Sequence, residues 1–167
     1  MKELFKKYRE IIMYLIFGVL TTVVGVGTYT LCFWVAEHIL NVPMDDTKAP
    51  IYLVTYFAAQ IIQWVAAVLV AFYTNRRWVF TDAERGEGTL VRQLTLFAGS
   101  RVLTLLLDIA ATYVFIRLLA LIINDAAPPA LLGIEFTTEF IAKIITSVLV
   151  IVANYVLSKL FVFKKKK

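Results

Sequence analysis

Four apolar stretches, each long enough to cross a bilayer, limit what this chain can fold into. They cover about residues 11–39, 51–74, 94–123 and 136–160. Roughly 20 predominantly apolar residues, wound as a helix, match the hydrocarbon core of a membrane. The expected fold is therefore an all-α membrane protein with four transmembrane helices, and residues 1–167 form one membrane domain. The composition agrees, with 60% hydrophobic residues, 17% charged residues and a mean hydropathy of +0.79. Four spans and their loops use up 167 residues, so no separate soluble catalytic domain fits.

The charges sit where they orient the spans. Residues 1–10 carry Lys2, Lys6, Lys7 and Arg9 with Leu4, Phe5 and Tyr8 between them, a basic amphipathic lead-in suited to the inner leaflet. It resembles the start of a signal peptide, but the apolar run behind it is too long for a signal core and lacks a small-residue exit. Arg76, Arg77, Arg85 and Arg92 lie between the second and third spans, and Lys159 with the tail 164–167 closes the chain. The other two connections hold Lys48 alone, with Arg117 near one end of the third span. The positive-inside rule then places both termini in the cytoplasm. A net charge of +5 spent this way leaves no basic aromatic surface for nucleic acid.

Chemistry that needs a cofactor or nucleophile finds little support. Cys32 is the one cysteine and lies in an apolar run, so it forms no internal disulfide. His38 is the one histidine, beside Trp34 and Glu37 at the outer end of the first span, with nothing near it to complete a metal set. Gly86 and Gly88 are not followed by the Lys-Ser/Thr of a phosphate-binding loop. The expectation is a non-enzyme without a cofactor.

The chain also carries an internal echo. Asn75-Arg76-Arg77-Trp78-Val79-Phe80 ends the second span, and Ser158-Lys159-Leu160-Phe161-Val162-Phe163 ends the fourth. Aligning them pairs Arg76 with Lys159, Trp78 with Phe161 and Phe80 with Phe163, and the same register pairs Gln60 with Lys143. Two parallel two-helix repeats follow, and sites in such proteins tend to lie between repeats.

Polar residues inside the spans need a reason. A charge at the membrane centre costs at least about 2.5 kcal/mol, yet the third span holds Arg101 and Asp108, and the fourth Glu139 and Lys143. The bland reading makes Arg101 with Asp108, and Glu139 with Lys143, mutually neutralising pairs. The functional reading makes them a polar track along which an anionic headgroup exchanges one cation for another, with arginine and lysine suited to phosphate. Asn75, Asn154, Gln60, Gln63 and the carboxylates would bond sugar hydroxyls, Trp64 or Tyr73 would stack on a ring, and Arg76 and Arg77 would meet the headgroup at entry. Gly18, Thr21, Thr22, Gly25 and Gly27 allow close helix contact in the first span.

With Phe17-Gly18 at the entry of the first span, the Asn-Arg-Arg-Trp-Val-Phe motif and the closure from Asn154 to Phe163, the chain resembles the GtrA-like family of small four-helix membrane proteins. That resemblance points to Ala71, Asn75, Val79, Phe80, Arg101, Lys143 and Asn154 as the residues that matter. It implies translocation of a polyprenyl-phosphate-linked sugar, such as undecaprenyl-phosphate glucose, to the outer leaflet of a bacterial inner membrane. A membrane glycosyltransferase would use the sugar there, on surface polysaccharide or lipid. Four helices leave little room for an enclosed path, so a homo-oligomer is expected. The alternatives are a non-transporting scaffold for a glycosyltransferase and a small-solute exporter.

Overall fold

The computed structural model describes residues 2–44, 47–86, 88–122, 130–131, 134–135 and 137–164. Helix α1 spans Lys2–His38 and α2 spans Pro50–Thr74, continuing into a wide π-helical turn, Asn75–Val79. Helix α3 spans Thr89–Leu119, and α4 spans Thr138–Leu157 and runs into a second π-helical turn, Ser158–Val162. Between α3 and α4, the two-residue strands β1 (Ala130–Leu131) and β2 (Ile134–Glu135) pair antiparallel.

Three helix starts differ from the sequence reading. The basic lead-in is the opening of α1 itself rather than a separate element, because no glycine or proline interrupts the helix formers before the apolar run. Helix α3 starts at Thr89, ahead of residue 94. There Gly88 adopts a left-handed φ of 76°, while the Thr89 hydroxyl donates to the Gly86 carbonyl at 2.8 Å and accepts from the Gly86 N–H. Helix α4 starts at Thr138 because Thr137 caps it, its hydroxyl accepting from the Phe140 N–H at 3.2 Å. Helix α3 ends at Leu119, and residue 123, where the third span was expected to close, lies outside the described residues together with most of the connection between α3 and α4 and with Lys165, Lys166 and Lys167.

All four helices are long and apolar enough to cross a membrane, and their most apolar windows are only 6–11% buried within the protein. A soluble protein does not present Leu, Ile, Val and Phe in such numbers, so the chain is a multi-pass membrane protein.

The chain divides into two compact units, Met1–Ala83 and Glu84–Lys167. Each is a helical hairpin, α1 against α2 and α3 against α4. The echo seen in the closing motifs runs through both, because one constant shift of 83 residues carries Asn75–Val79 onto Ser158–Val162. The same shift carries buried Ala59 onto buried Ala142, and Tyr14 onto Phe97. Small buried residues let paired helices approach closely, which is how helices associate without a hydrophobic driving force.

Within each hairpin the π-turn end is the best packed. Val79 and Phe80 are buried, as are Val162 and Phe163, and each turn is closed by a bond of 2.8 Å, from Phe80 N–H to the Asn75 carbonyl and from Phe163 N–H to the Ser158 carbonyl. π-turns are rare and concentrate at functional sites, so their recurrence at one register gives the motif a structural meaning. The first turn is held by Trp78, which stacks on Phe17 at 5.4 Å while its carbonyl accepts from Arg9 at 3.3 Å. In the second hairpin the Gln93 side chain, fully buried, donates to the Glu84 carbonyl at 3.0 Å, and the Glu84 N–H donates to the Lys164 carbonyl at 2.9 Å. These bonds tie the segment before α3 to the end of the chain.

Candidate functional site

The polar residues of the second hairpin meet along one seam. Ser100, Thr104, Asp108 and Thr112 recur every four residues on α3 and so share a face. Opposite them α4 presents Asn154, Thr146 and Lys143. The Thr104 hydroxyl donates to Asn154 Oδ1 at 2.8 Å, the hydroxyls of Thr112 and Thr146 bond at 3.0 Å, and Lys143 Nζ donates to Asp108 Oδ2 at 2.6 Å. Thr112 also lies 3.4 Å from Asp108 Oδ1. The result is a hydrogen-bonded ladder along the interhelical seam, running from Thr104 and Asn154 toward the end of the hairpin where α3 gives way to α4.

Charge on this ladder is distributed unevenly. The Asp108 side chain is 22% exposed and that of Lys143 is 58% exposed. The carboxylate is thus sheltered between the helices while the ammonium, with two of its three protons uncommitted to Asp108, faces outward. Arg101 stands about two turns nearer the π-turn end, its guanidinium 4.3 Å above the Phe97 ring, and Phe97 in turn packs on Phe163 at 5.9 Å. Phe97 is fully buried, so it fixes the guanidinium from below.

This geometry revises the pairing read from spacing. Asp108 pairs across helices with Lys143, not along α3 with Arg101, because the long lysine stem spans the seam. Glu139 makes no ion pair with Lys143. It stands exposed in the first turn of α4, where a negative charge opposes the helix dipole favourably. Arg101, Asp108, Lys143 and Asn154 are all gathered on the second hairpin.

The remaining expected residues belong to the first hairpin. Asn75 is 3% exposed at the start of the first π-turn, and its Oδ1 has no hydrogen-bond partner among the described residues; Ser158 Oγ, at the matching position, is in the same state. Ala71 is buried one turn earlier, at the position that Asn154 occupies in the second hairpin. Arg77 is exposed, Arg76 is half-buried, and Trp78 is partly exposed. Gln60 and Gln63 join in a short relay on α2: Gln63 Nε2 donates to Gln60 Oε1, and Gln60 Nε2 donates to the Tyr56 hydroxyl at 3.0 Å.

Sequence reasoning missed Thr104, Thr112, Thr146 and Phe97. The four-residue spacing of Ser100, Thr104, Asp108 and Thr112 was a readable signal. Hydroxyl residues in apolar helices often bond their own backbone, however, and Thr104 does lie 3.1 Å from the carbonyls of Ser100 and Arg101. With a single proton to give, its shortest bond, at 2.8 Å to Asn154 Oδ1, orients the carboxamide.

A profile for the GtrA/DPMS transmembrane domain matches residues 13–163, from the first span to the end of the second π-turn. The chain belongs to the GtrA/DPMS transmembrane-domain family. It is 35% identical over 158 residues to the cell wall teichoic acid glycosylation protein GtcA of Listeria monocytogenes serovar 1/2a, covering 95% of this chain and 87% of the relative. The protein of the same name in Listeria innocua is 34% identical, with the same coverage of each chain. The uncharacterized membrane protein YwcD of Bacillus subtilis is 32% identical over 155 residues, covering 93% of this chain and 97% of YwcD. No solved structure matches.

In this geometry Thr104→Val is expected to leave the Asn154 carboxamide oxygen without its donor and to lower the thermal midpoint by a few degrees. Thr104→Ser keeps the hydroxyl and is expected to hold the midpoint. Thermal unfolding of the two purified variants checks this, and equal midpoints would assign Thr104 to packing alone.

Proposed function

We propose that this protein moves a polyprenyl-phosphate-linked monosaccharide, such as undecaprenyl-phosphate glucose, from the cytoplasmic to the outer leaflet of a bacterial cytoplasmic membrane, supplying glycosylation of a cell-surface polymer. The observation that carries the reading is the Asp108–Lys143 pair, with its carboxylate sheltered and its ammonium open. An exposed lysine within a membrane span is costly unless it meets an anion or a water-filled path. A phosphate arriving beside Lys143 takes up the uncommitted ammonium protons without first breaking the bond to Asp108. Arg101, nearer the π-turn end, offers a planar fork of donors at a second depth.

The order of events follows from depth, with both termini placed in the cytoplasm. The phosphate enters at a basic π-turn end, marked by Lys159 in the second hairpin as it is by Arg76 and Arg77 in the first, passes along the second hairpin to Arg101 and Asn154, and reaches Lys143 toward the outer side. The prenyl chain stays in lipid throughout. On the second hairpin Arg101, Lys143 and Asn154 contact the headgroup, Glu139 borders its exit, and Asp108 holds Lys143. No bond is made or broken in the substrate, so the protein is a transporter, and a membrane glycosyltransferase acts after it. The relatives named for teichoic acid glycosylation support this class of role.

Mass spectrometry of the protein purified in mild detergent tests the proposal. The wild type is expected to carry a polyprenyl-phosphate sugar, and Lys143→Ala to lose most of it while remaining folded. A wild-type protein that retains only zwitterionic lipid, or a Lys143→Ala variant that retains the sugar lipid undiminished, would overturn the assignment and favour a scaffold.

A further inference from the structure

The two hairpins differ in the middle of the register that the repeat gives them. The shift of 83 residues places Gly25 on Asp108, Tyr29 on Thr112, Tyr56 on Glu139, Gln60 on Lys143 and Gln63 on Thr146. One hairpin carries an ion pair there, and the other carries amides and phenols. We infer that the first hairpin holds a neutral carbohydrate-binding surface, built from Tyr29, Phe33, Tyr52, Tyr56, Gln60 and Gln63, which reads the sugar ring of the lipid. The inference rests on the function proposed above and adds to it the part of the protein that distinguishes one headgroup from another.

The aromatic part is a connected cluster. Tyr29 lies 4.9 Å from Phe33 and edge-on to Tyr56 at 6.4 Å, and Phe33 meets Tyr52 at 5.9 Å. All four rings are half-buried, so they are neither sealed in the interhelical contact nor spread singly over the lipid face. Phenylalanine or leucine would pack such a contact as well, whereas three of these four rings carry a hydroxyl. An apolar face with a polar tip suits a sugar, which has C–H faces and a rim of hydroxyls.

The polar part is a relay with open ends. Gln63 donates to Gln60 and Gln60 donates to the Tyr56 oxygen, so the Tyr56 O–H proton is left without an acceptor among the described residues. At the other end, Gln63 Oε1 has no donor among the described residues and faces Gly25, where an added Cβ would come to 3.7 Å from it. Gly25 is buried and leaves room for that amide. A relay that ended in satisfied groups would be structural glue. This one offers a donor at Tyr56 and an acceptor at Gln63, the pairing that a sugar hydroxyl satisfies because it gives one proton and accepts others. None of these six residues is charged, so the surface suits a neutral, hydroxylated ring rather than a phosphate.

Binding of two lipids to the full chain in nanodiscs tests this: undecaprenyl phosphate alone, and undecaprenyl phosphate carrying one hexose. The wild type is expected to prefer the hexose-bearing lipid by about tenfold. Gln60→Leu/Gln63→Leu should bring that preference close to unity while binding of the plain lipid is unchanged. Tyr56→Phe removes a single oxygen, leaves the ring packing intact, and should weaken the preference several-fold. A wild type that binds both lipids equally, or variants that keep its preference, would overturn the inference while leaving the transport proposal standing. Failure of the wild type to bind either lipid would overturn both.

Discussion

Exchanging the members of the seam pair, in the double variant Asp108→Lys/Lys143→Asp, is expected to leave a folded protein that no longer retains or moves an anionic lipid. The two side chains bond at 2.6 Å across α3 and α4, so a reversed pair can still neutralise itself in the seam. The reversal presents a carboxylate at the open position and withdraws the ammonium to the sheltered one. A phosphate then meets a like charge where it needs a cation, a repulsion worth several kcal/mol where water is scarce. Removal of Asp108 alone is a different experiment, because it leaves Lys143 without its neutralising partner. The swap therefore separates charge balance from charge position. A pair that serves only assembly would tolerate it, with stability and lipid retention both preserved.

The second large effect is expected at Phe97. This ring is fully buried, lies under the Arg101 guanidinium at 4.3 Å and packs on Phe163 at the end of the second π-turn. Truncation to alanine in a well-packed site costs about 3–5 kcal/mol, and the same change removes the surface on which Arg101 rests. Phe97→Ala is expected to lower the thermal midpoint strongly and to abolish lipid retention. Phe97→Leu restores most of the volume without the aromatic face, and is expected to recover much of the midpoint but little of the retention. The two variants together distinguish packing from the positioning of Arg101; full retention in Phe97→Leu would reduce Phe97 to packing alone.

How far the fold could be read from sequence depended on the kind of signal. Spans are set by summed hydropathy, so α2 emerged within a residue of its expected limits, and the termination of α4 in a second version of the first motif was legible as a repeat. Helix starts are set by local capping, and the reciprocal bonds of Thr89 with Gly86 and the cap at Thr137 are too short a pattern to stand out in an apolar chain. The polar residues were found because each is conspicuous in a span, but their partners were not. Spacing along one helix paired Glu139 with Lys143, whereas the geometry of two helices paired Lys143 with Asp108. Threonines such as Thr104 and Thr146 are unremarkable in apolar helices until the opposing helix shows what they hold. The π-turns have no separate sequence rule, though both begin at the polar residue, Asn75 or Ser158, that the repeat had aligned.

The repeat also explains why a small chain carries its polar residues unevenly. Both hairpins keep the same buried frame, with Ala59 matching Ala142 and Val79 matching Val162. What varies between them is the middle of the seam, where Gly25, Gln60 and Gln63 stand in one and Asp108, Lys143 and Thr146 in the other. A shared frame with divergent polar inserts lets one hairpin handle charge without disturbing the other.

In the function proposed, this protein carries an anionic lipid-linked sugar across the bilayer by way of Lys143. Leaflet translocation of a polyprenyl-phosphate hexose in proteoliposomes measures that directly. The wild type is expected to exceed protein-free vesicles by at least about tenfold, equivalent to roughly 1.4 kcal/mol off the barrier, and Lys143→Ala to fall to the protein-free rate. A wild-type rate equal to that of protein-free vesicles, or a Lys143→Ala variant as fast as the wild type, would contradict it.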